Sequence, residues 1–220
     1  MNYYVLMNDY KSSLIPRYLH AIVDTNKQVN ENWDYEGSKH SFPYYMKDPK
    51  CPNELFLLCG QNIGALKFNY YKDGHGHIMS DSFLELLTSF RITDFFHRKL
   101  LATAINNGEI IRNDMNYMYL TQKDNLLDLE KSELEEDRFG SLMPHKLVFN
   151  ENVLNYDVFS IDRTLLSGYI FLSEIAAEKL KKERIAGLKL IKSDDAFKEY
   201  DIDYGYDIGS SRKRVKRKLP

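Results

Sequence analysis

Apolar and polar positions along this chain fall into short blocks, and most of the blocks have the length and composition of strands. NYYVL at 2–6 predicts a strand, because Tyr and Val suit a pleated, half-buried surface. SSLIPRYLHAIV has room for a short helical turn, limited by Pro16. Residues 24–54 are rich in Asn, Asp, Lys and Pro and predict a long irregular connection. ELFLLC (54–59) reads as a buried strand, IGALKFNYY (63–71) as another, and KDGHG (72–76) as a turn. FFHRKLLATAI (95–105) and MNYMYLTQ (115–122) predict two strands joined by the Asn-Asn-Gly turn at 106–108. HKLVFN (145–150) and YDVFSI (156–161) add two more.

Two longer blocks break this rhythm, and they resemble each other. In GHIMSDSFLELLTSFRITDFFHRKL and YIFLSEIAAEKLKKERIAGLKLIKS, Ser80 aligns with Ser173, Asp81 with Glu174, Leu87 with Leu180, and Arg91-Ile92 with Arg184-Ile185. Each predicts an apolar strand, a helix of three turns and a returning strand. Ser80 or Ser82 caps the first helix, and Ser82-x-x-Glu85 has the form of a capping box. Phe83, Leu84, Leu86, Leu87 and Phe90 share its inner face. Ser173 caps the second helix, with Glu174 in the dipole-favoured first turn and Ile175, Ala176 and Leu180 facing inward. Gly187 aligns with Asp94, and both types tolerate the left-handed conformation that often ends a helix. The matched residues are caps and core positions, so the repetition is structural.

Helices and strands mix without regular alternation. The fold class expected is α+β, a mixed and mostly antiparallel sheet with a few short helices. Residues 1–75 are expected to pack on a main domain at 76–200, with a polar Tyr-rich segment and basic tail at 201–220.

Candidate chemistry is sparse. Among the 220 residues there are two cysteines, Cys51 and Cys59, at a spacing that fits neither a zinc nor a redox motif. His75 and His77 would direct both rings to one strand face, but no third ligand stands at metal spacing. No nucleophile elbow, Walker loop or Gly-x-Gly-x-x-Gly is present. A non-enzymatic protein with no cofactor and no metal is expected. The N-terminal ten residues lack the pattern of a signal peptide, and no apolar run is long enough for a membrane helix, so a cytoplasmic protein is expected.

Charge changes the picture more. Of 30 basic residues, six lie in the terminal RKRVKRKLP, so the body carrying the 32 acidic residues is moderately acidic. Asp124, Asp128, Glu130, Glu133, Glu135, Glu136 and Asp137 cluster around the single Lys131. They form either a solvated helix or loop face, or an anionic patch that imitates phosphate and docks on a basic partner. A second candidate is the Tyr-rich, loosely attached stretch with Tyr200, Asp201, Asp203, Tyr204 and Tyr206. The basic tail has no interleaved aromatic residue, so base stacking is not expected.

Four segments together resemble the immunity proteins of bacterial polymorphic-toxin systems, in particular immunity families 11 and 43. They are the Tyr-rich opening NYYVL and the Ser-ended apolar strand with helix HIMSDSFLELL. The third is YMYLTQKDNLLDLEKSEL, with its hydrophobic-Asp-x-x-x-Ser run, and the fourth VFSIDRTLLSGYIFLSEIAAEKLKKERIAGLKL. The resemblance covers about residues 76–192. It implies a cytoplasmic, non-enzymatic protein that binds and neutralises a cognate toxin domain, such as a basic nuclease, delivered in contact-dependent competition between bacteria. The alternative is a nucleic-acid-associated or regulatory protein acting through the basic tail.

Overall fold

The computed structural model describes residues 2–204, apart from residues 62, 64, 65 and 184. Its strands, in chain order, are β1 (Tyr3–Asn8), β2 (Ala21–Asp24), β3 (Glu54–Cys59), β4 (Tyr70–Asp73), β5 (Gly76–Ser80), β6 (Phe95–Ala104), β7 (Ile110–Leu120), β8 (Gln122–Lys123), β9 (Glu133–Glu136), β10 (Leu142–Lys146), β11 (Val158–Ile161), β12 (Phe171–Ser173) and β13 (Leu188–Lys192). The helices are α1 (Asp81–Thr88), α2 (Glu174–Lys182) and α3 (Ser193–Tyr204), with short 3-10 turns at Tyr44–Lys47 and Glu151–Asn155.

The strands build two main sheets and a ribbon. One sheet runs β2-β3-β6-β7-β5-β4 and the other β13-β1-β12-β11-β8, while β9 and β10 form a two-stranded ribbon whose Leu142 also bridges Thr164. Pairing is antiparallel except between β3 and β6 and between β11 and β8. The fold is α+β, with mixed, mostly antiparallel sheets and short helices.

Strict alternation along the strands distributes the apolar side chains into three clusters. Tyr4 and Leu6 of β1, Met118 and Leu120 of β7, and Leu172 of β12 meet between the sheets, where α1 and α2 add Phe83, Leu87, Ala176 and Leu180. Tyr117 and Tyr119 point the opposite way, into a cluster under Ile15, Met46 and Cys51 from the long connections. Tyr3, Val5 and Met7 likewise leave β1 on its other face, against Leu127, Leu147, Val153 and Ala196. Because β1 is buried on both faces, its sequence is apolar or aromatic at almost every position.

The two strand–helix units form as their caps predict. Ser80 accepts the Phe83 amide at 3.3 Å, and Ser173 accepts the Ala176 amide at 3.3 Å. Each helix is shorter than expected, at 8 and 9 residues, which is a little over two turns. Ser82 lies inside α1, so Ser80 alone is the cap and the Ser82–Glu85 capping box does not form. Ile175 faces solvent with 66% exposure. The inner face of α2 is set by Ala176, Ala177 and Leu180, and residue 175 falls out of phase with it. Both helices end in right-handed residues, Ser89 and Glu183. Gly187 does take the left-handed conformation (φ 98°), but it does so in the turn entering β13. A β-carbon there would lie 2.8 Å from Phe68 and 2.9 Å from the Tyr70 carbonyl. Asp94 does not share that conformation, so the aligned pair is not a common helix stop.

Elsewhere local pattern misled in four places. The stretch around Pro16 forms turns rather than a helical turn. Only Tyr70–Asp73 of the expected second strand is strand. The strand expected at 145–150 lies upstream, at Leu142–Lys146, where Pro144 falls at a register shift in the pairing with β9. The part of the acidic, Tyr-rich stretch up to Tyr204 is not loosely attached but forms α3, held by Lys189 and Tyr10, while residues 205–211 lie outside the described residues.

Candidate partner interface

The acidic segment is no helix: Asp124, Asp128, Glu130 and Asp137 lie in turns and loops, and Glu133, Glu135 and Glu136 lie in β9, one side of the two-stranded ribbon. Leu134 pairs with Pro144 and Glu136 with Leu142 across it. Asp137 closes the tip by accepting the Phe139 and Ser141 amides at 2.8 and 2.9 Å, with Gly140 at φ 82°. Phe139 stands at that tip with 76% exposure.

Several of the seven acidic groups are spent on the fold itself. Asp128 accepts the Lys131 amide at 3.1 Å and pairs with its ammonium at 2.9 Å. Ser132 donates to the Asp128 carbonyl at 2.6 Å and accepts the Val148 amide at 2.9 Å. The hydrophobic-Asp-x-x-x-Ser run is therefore a structural turn that seats the ribbon. Glu135 pairs with His145 at 2.9 Å, and Glu133 lies 4.0 Å from the Lys146 ammonium. Asp124, Glu130, Glu133 and Glu136 are exposed, with Glu133 and Glu136, three apart on β9, directed to opposite sides of the ribbon.

The Tyr-rich candidate is split by its helix. Asp203 is buried and pairs with Lys189 of β13 at 2.8 Å; Glu199 joins the same ammonium at 2.5 Å. The Tyr204 hydroxyl meets that of Tyr10 at 3.3 Å, and the Tyr200 ring packs on Tyr204 and Tyr169. These three residues bind α3 to the body, and Asp201 is the exposed one of the set. Tyr206 and the basic run at 212–218 lie outside the described residues.

His75 and His77 do not share a strand face. His77 is fully buried in β5, with Nδ1 3.1 Å from the Tyr70 hydroxyl, and burial pushes its pKa well below the usual value. His75 sits in the preceding turn, where the Gln122 side-chain amide meets its Nδ1 at 2.9 Å. Among the described residues no group of three or more His, Cys, Asp or Glu side chains is arranged to hold a metal ion. Cys51 and Cys59 are buried free thiols, and burial pushes Cys59 up to about 12, where it is a poor nucleophile. No described helix is long and apolar enough to cross a membrane.

Sequence reasoning missed a third surface. Arg91, just past α1, donates to both carboxylate oxygens of Asp157 at 2.8 and 3.1 Å and to the Leu154 carbonyl at 3.0 Å. Asp157 also accepts the Ser173 hydroxyl at 2.8 Å. These donors hold its carboxyl below the ordinary range, the Arg91 hydrogen bonds contributing most. Above this junction opens a groove of about 260 Å³, walled by Leu154 and Ile175 and rimmed by Glu174 and Glu178. The one hint in the sequence was the Ser and Arg that the two similar units share; nothing local tied either to Asp157.

The family model for Immunity protein 43 matches residues 7–208. The chain belongs to that family, one of the immunity protein families of polymorphic toxin systems, and the membership supports an immunity role. The match begins just past NYYVL and takes in residues 7–75, upstream of the 76–192 that the sequence resemblance covers. Among curated proteins none matches the chain.

Proposed function

We propose that this protein neutralises a cognate antibacterial toxin domain by binding it stoichiometrically in the cytoplasm, without turnover. The family match over residues 7–208 carries this reading. The buried, high-pKa thiol of Cys59 and the separated histidines are consistent with a binding role rather than a catalytic one. The toxin, in this reading, is a basic protein such as a nuclease used in contact-dependent competition. The exposed carboxylates at Asp124, Glu130, Glu133 and Glu136 steer it during approach, since a phosphate-binding cleft is positive. The Asp201 side of α3 is a rival steering face.

The test is co-expression with candidate toxin domains taken from the genes that flank this one. Protection of the host, together with a complex that purifies in constant stoichiometry, is expected. Deletion of residues 212–220 should leave protection intact. Protection lost with that deletion would favour the alternative reading through the basic tail. A toxin that remains lethal and elutes alone would overturn the immunity reading.

A further inference from the structure

We propose that the groove at the start of α2 is where the complex is anchored, and that its occupant is a Lys or Arg side chain projecting from the toxin. This rests on the immunity reading and adds the contact and its chemistry.

Three observations converge on the groove. The first is apolar exposure without an internal purpose. Ile175 (66% exposed) and Leu154 (52%) come from different elements, α2 and the 3-10 turn at Glu151–Asn155, yet wall the same 260 Å³ space. The apolar face of α2 is already complete in Ala176, Ala177 and Leu180. Ile175 therefore contributes little to the fold from its outward position, and paired exposed aliphatics over a concavity are a common mark of a contact site.

The second is charge. Arg91 is the cation at the groove, and its charge is matched by the two oxygens of Asp157. Its remaining described bond goes to the Leu154 carbonyl. The α2 N-terminus is likewise answered internally, with Ser173 accepting the Ala176 amide. What faces outward is the exposed Glu178 and, one helical turn before it, the half-buried Glu174, whose carboxylate also accepts the Asn2 side-chain amide at 2.9 Å. An anion would meet two carboxylates there, whereas a cation is attracted.

The third is shape. Lys and Arg carry an aliphatic stem that packs on apolar surface and a charged head that seeks carboxylates. Walls of Leu and Ile leading to a rim of two Glu match that order of chemistry along one side chain. The junction beneath is rigid, because Arg91, Asp157 and Ser173 come from three separated segments and lock one another. A rigid, partly apolar socket is the kind of site where few residues carry most of the affinity. The groove would thus govern how slowly the complex dissociates, while the acidic ribbon governs how fast it forms.

The experiment measures binding of the cognate toxin domain, purified in inactivated form, to the full chain by surface plasmon resonance. Three variants are compared: Glu178→Lys, Ile175→Asp, and Leu154→Ala with Ile175→Ala. Each is checked by its melting temperature. Roughly tenfold or greater weakening, expressed mainly in faster dissociation, is expected. Glu178 and Ile175 are exposed, so if the double variant melts early the two single variants still decide. Unchanged dissociation in folded variants, while the wild type binds, would overturn the groove and leave the immunity reading standing. No binding by the wild type would overturn both. The occupant is tested by replacing the toxin's surface Lys and Arg residues one at a time and pairing each with Glu178→Lys. One toxin residue should show non-additive loss; if none does, the basic-side-chain assignment is wrong.

Discussion

Asn8 closes the edge of β4 by imitating a strand: its side-chain oxygen accepts the Lys72 amide at 2.7 Å, and its side-chain nitrogen donates to the Lys72 carbonyl at 3.2 Å. Asn8 ends β1 in one sheet and Lys72 lies in β4 of the other, so one carboxamide joins the two sheets. Asn8→Ala leaves both backbone groups without that partner. It is expected to cost about 1–3 kcal/mol, seen as a lower melting temperature by calorimetry. At this chain length each kcal/mol corresponds to roughly 2–4 °C. A melting temperature equal to wild type would show that water replaces the carboxamide at no cost.

The two caps should differ in worth. Ser80→Ala is expected to destabilise by about 1 kcal/mol, the usual cost of losing a cap. Both hydroxyls have further partners, Ser80 in the neutral side chains of Asn69 and Ser82, and Ser173 in the ionised Asp157 at 2.8 Å. The charge-assisted bond is the stronger, so Ser173→Ala should cost measurably more. Urea titration of both variants measures the difference, and equal losses would mean that the Asp157 bond adds nothing.

Asp157 sets an acid dependence whose sign follows from its lowered pKa. The folded state holds the carboxylate more strongly than the unfolded chain does. Its stabilisation is therefore present above the unfolded value, about 4, and is lost as pH falls through the lower folded value. Asp157→Asn should be less stable at neutral pH. The gap to wild type should narrow as pH drops below about 4. A gap independent of pH would assign the loss to packing instead.

Charge reversal of Glu130, Glu133 and Glu136 together should slow association with the toxin at low salt. The rates of variant and wild type should converge as salt screens the charges. Glu135 is left in place because its bond to His145 helps hold the ribbon. Identical low-salt rates would remove this segment as the steering surface.

Metal analysis of tag-free protein should return no stoichiometric zinc, nickel or iron. His77 is sealed beneath Tyr70, and the His75 ring is bonded to Gln122. A metal bound at both rings would require β5 and the turn before it to rearrange, and would overturn this expectation.

What could be read in the sequence was what is decided locally. Ser80 and Ser173 announce helix starts because a cap acts over three residues, and Gly108 announces the β6–β7 turn because few other residues take φ 72°. The ribbon was hidden because Glu-Leu-Glu-Glu has little strand preference of its own and is held by its partner, Leu142–Lys146. Tyr200 and Tyr204 looked like surface residues because tyrosine suits both core and interface; only Tyr10 and Tyr169, far away in sequence, decide that they face inward. Ile175 was read as core from apolarity alone, although its phase against Ala176 and Leu180 already argued otherwise. The groove joins Arg91, Leu154, Asp157 and Ser173 from segments far apart in the sequence, so no local pattern announces it.

The position of β1 also imposes an order of events on synthesis. Its neighbours on either side are β12 and β13, so β1 pairs with strands translated some 170 residues later. At ordinary elongation rates that is a wait on the order of ten to thirty seconds. During it, a segment of Tyr, Val, Leu and Met has both backbone edges bare. The six-stranded sheet, whose strands end at Leu120, has all its members early and can form first. The five-stranded sheet can therefore close around β1 only once β13 has emerged.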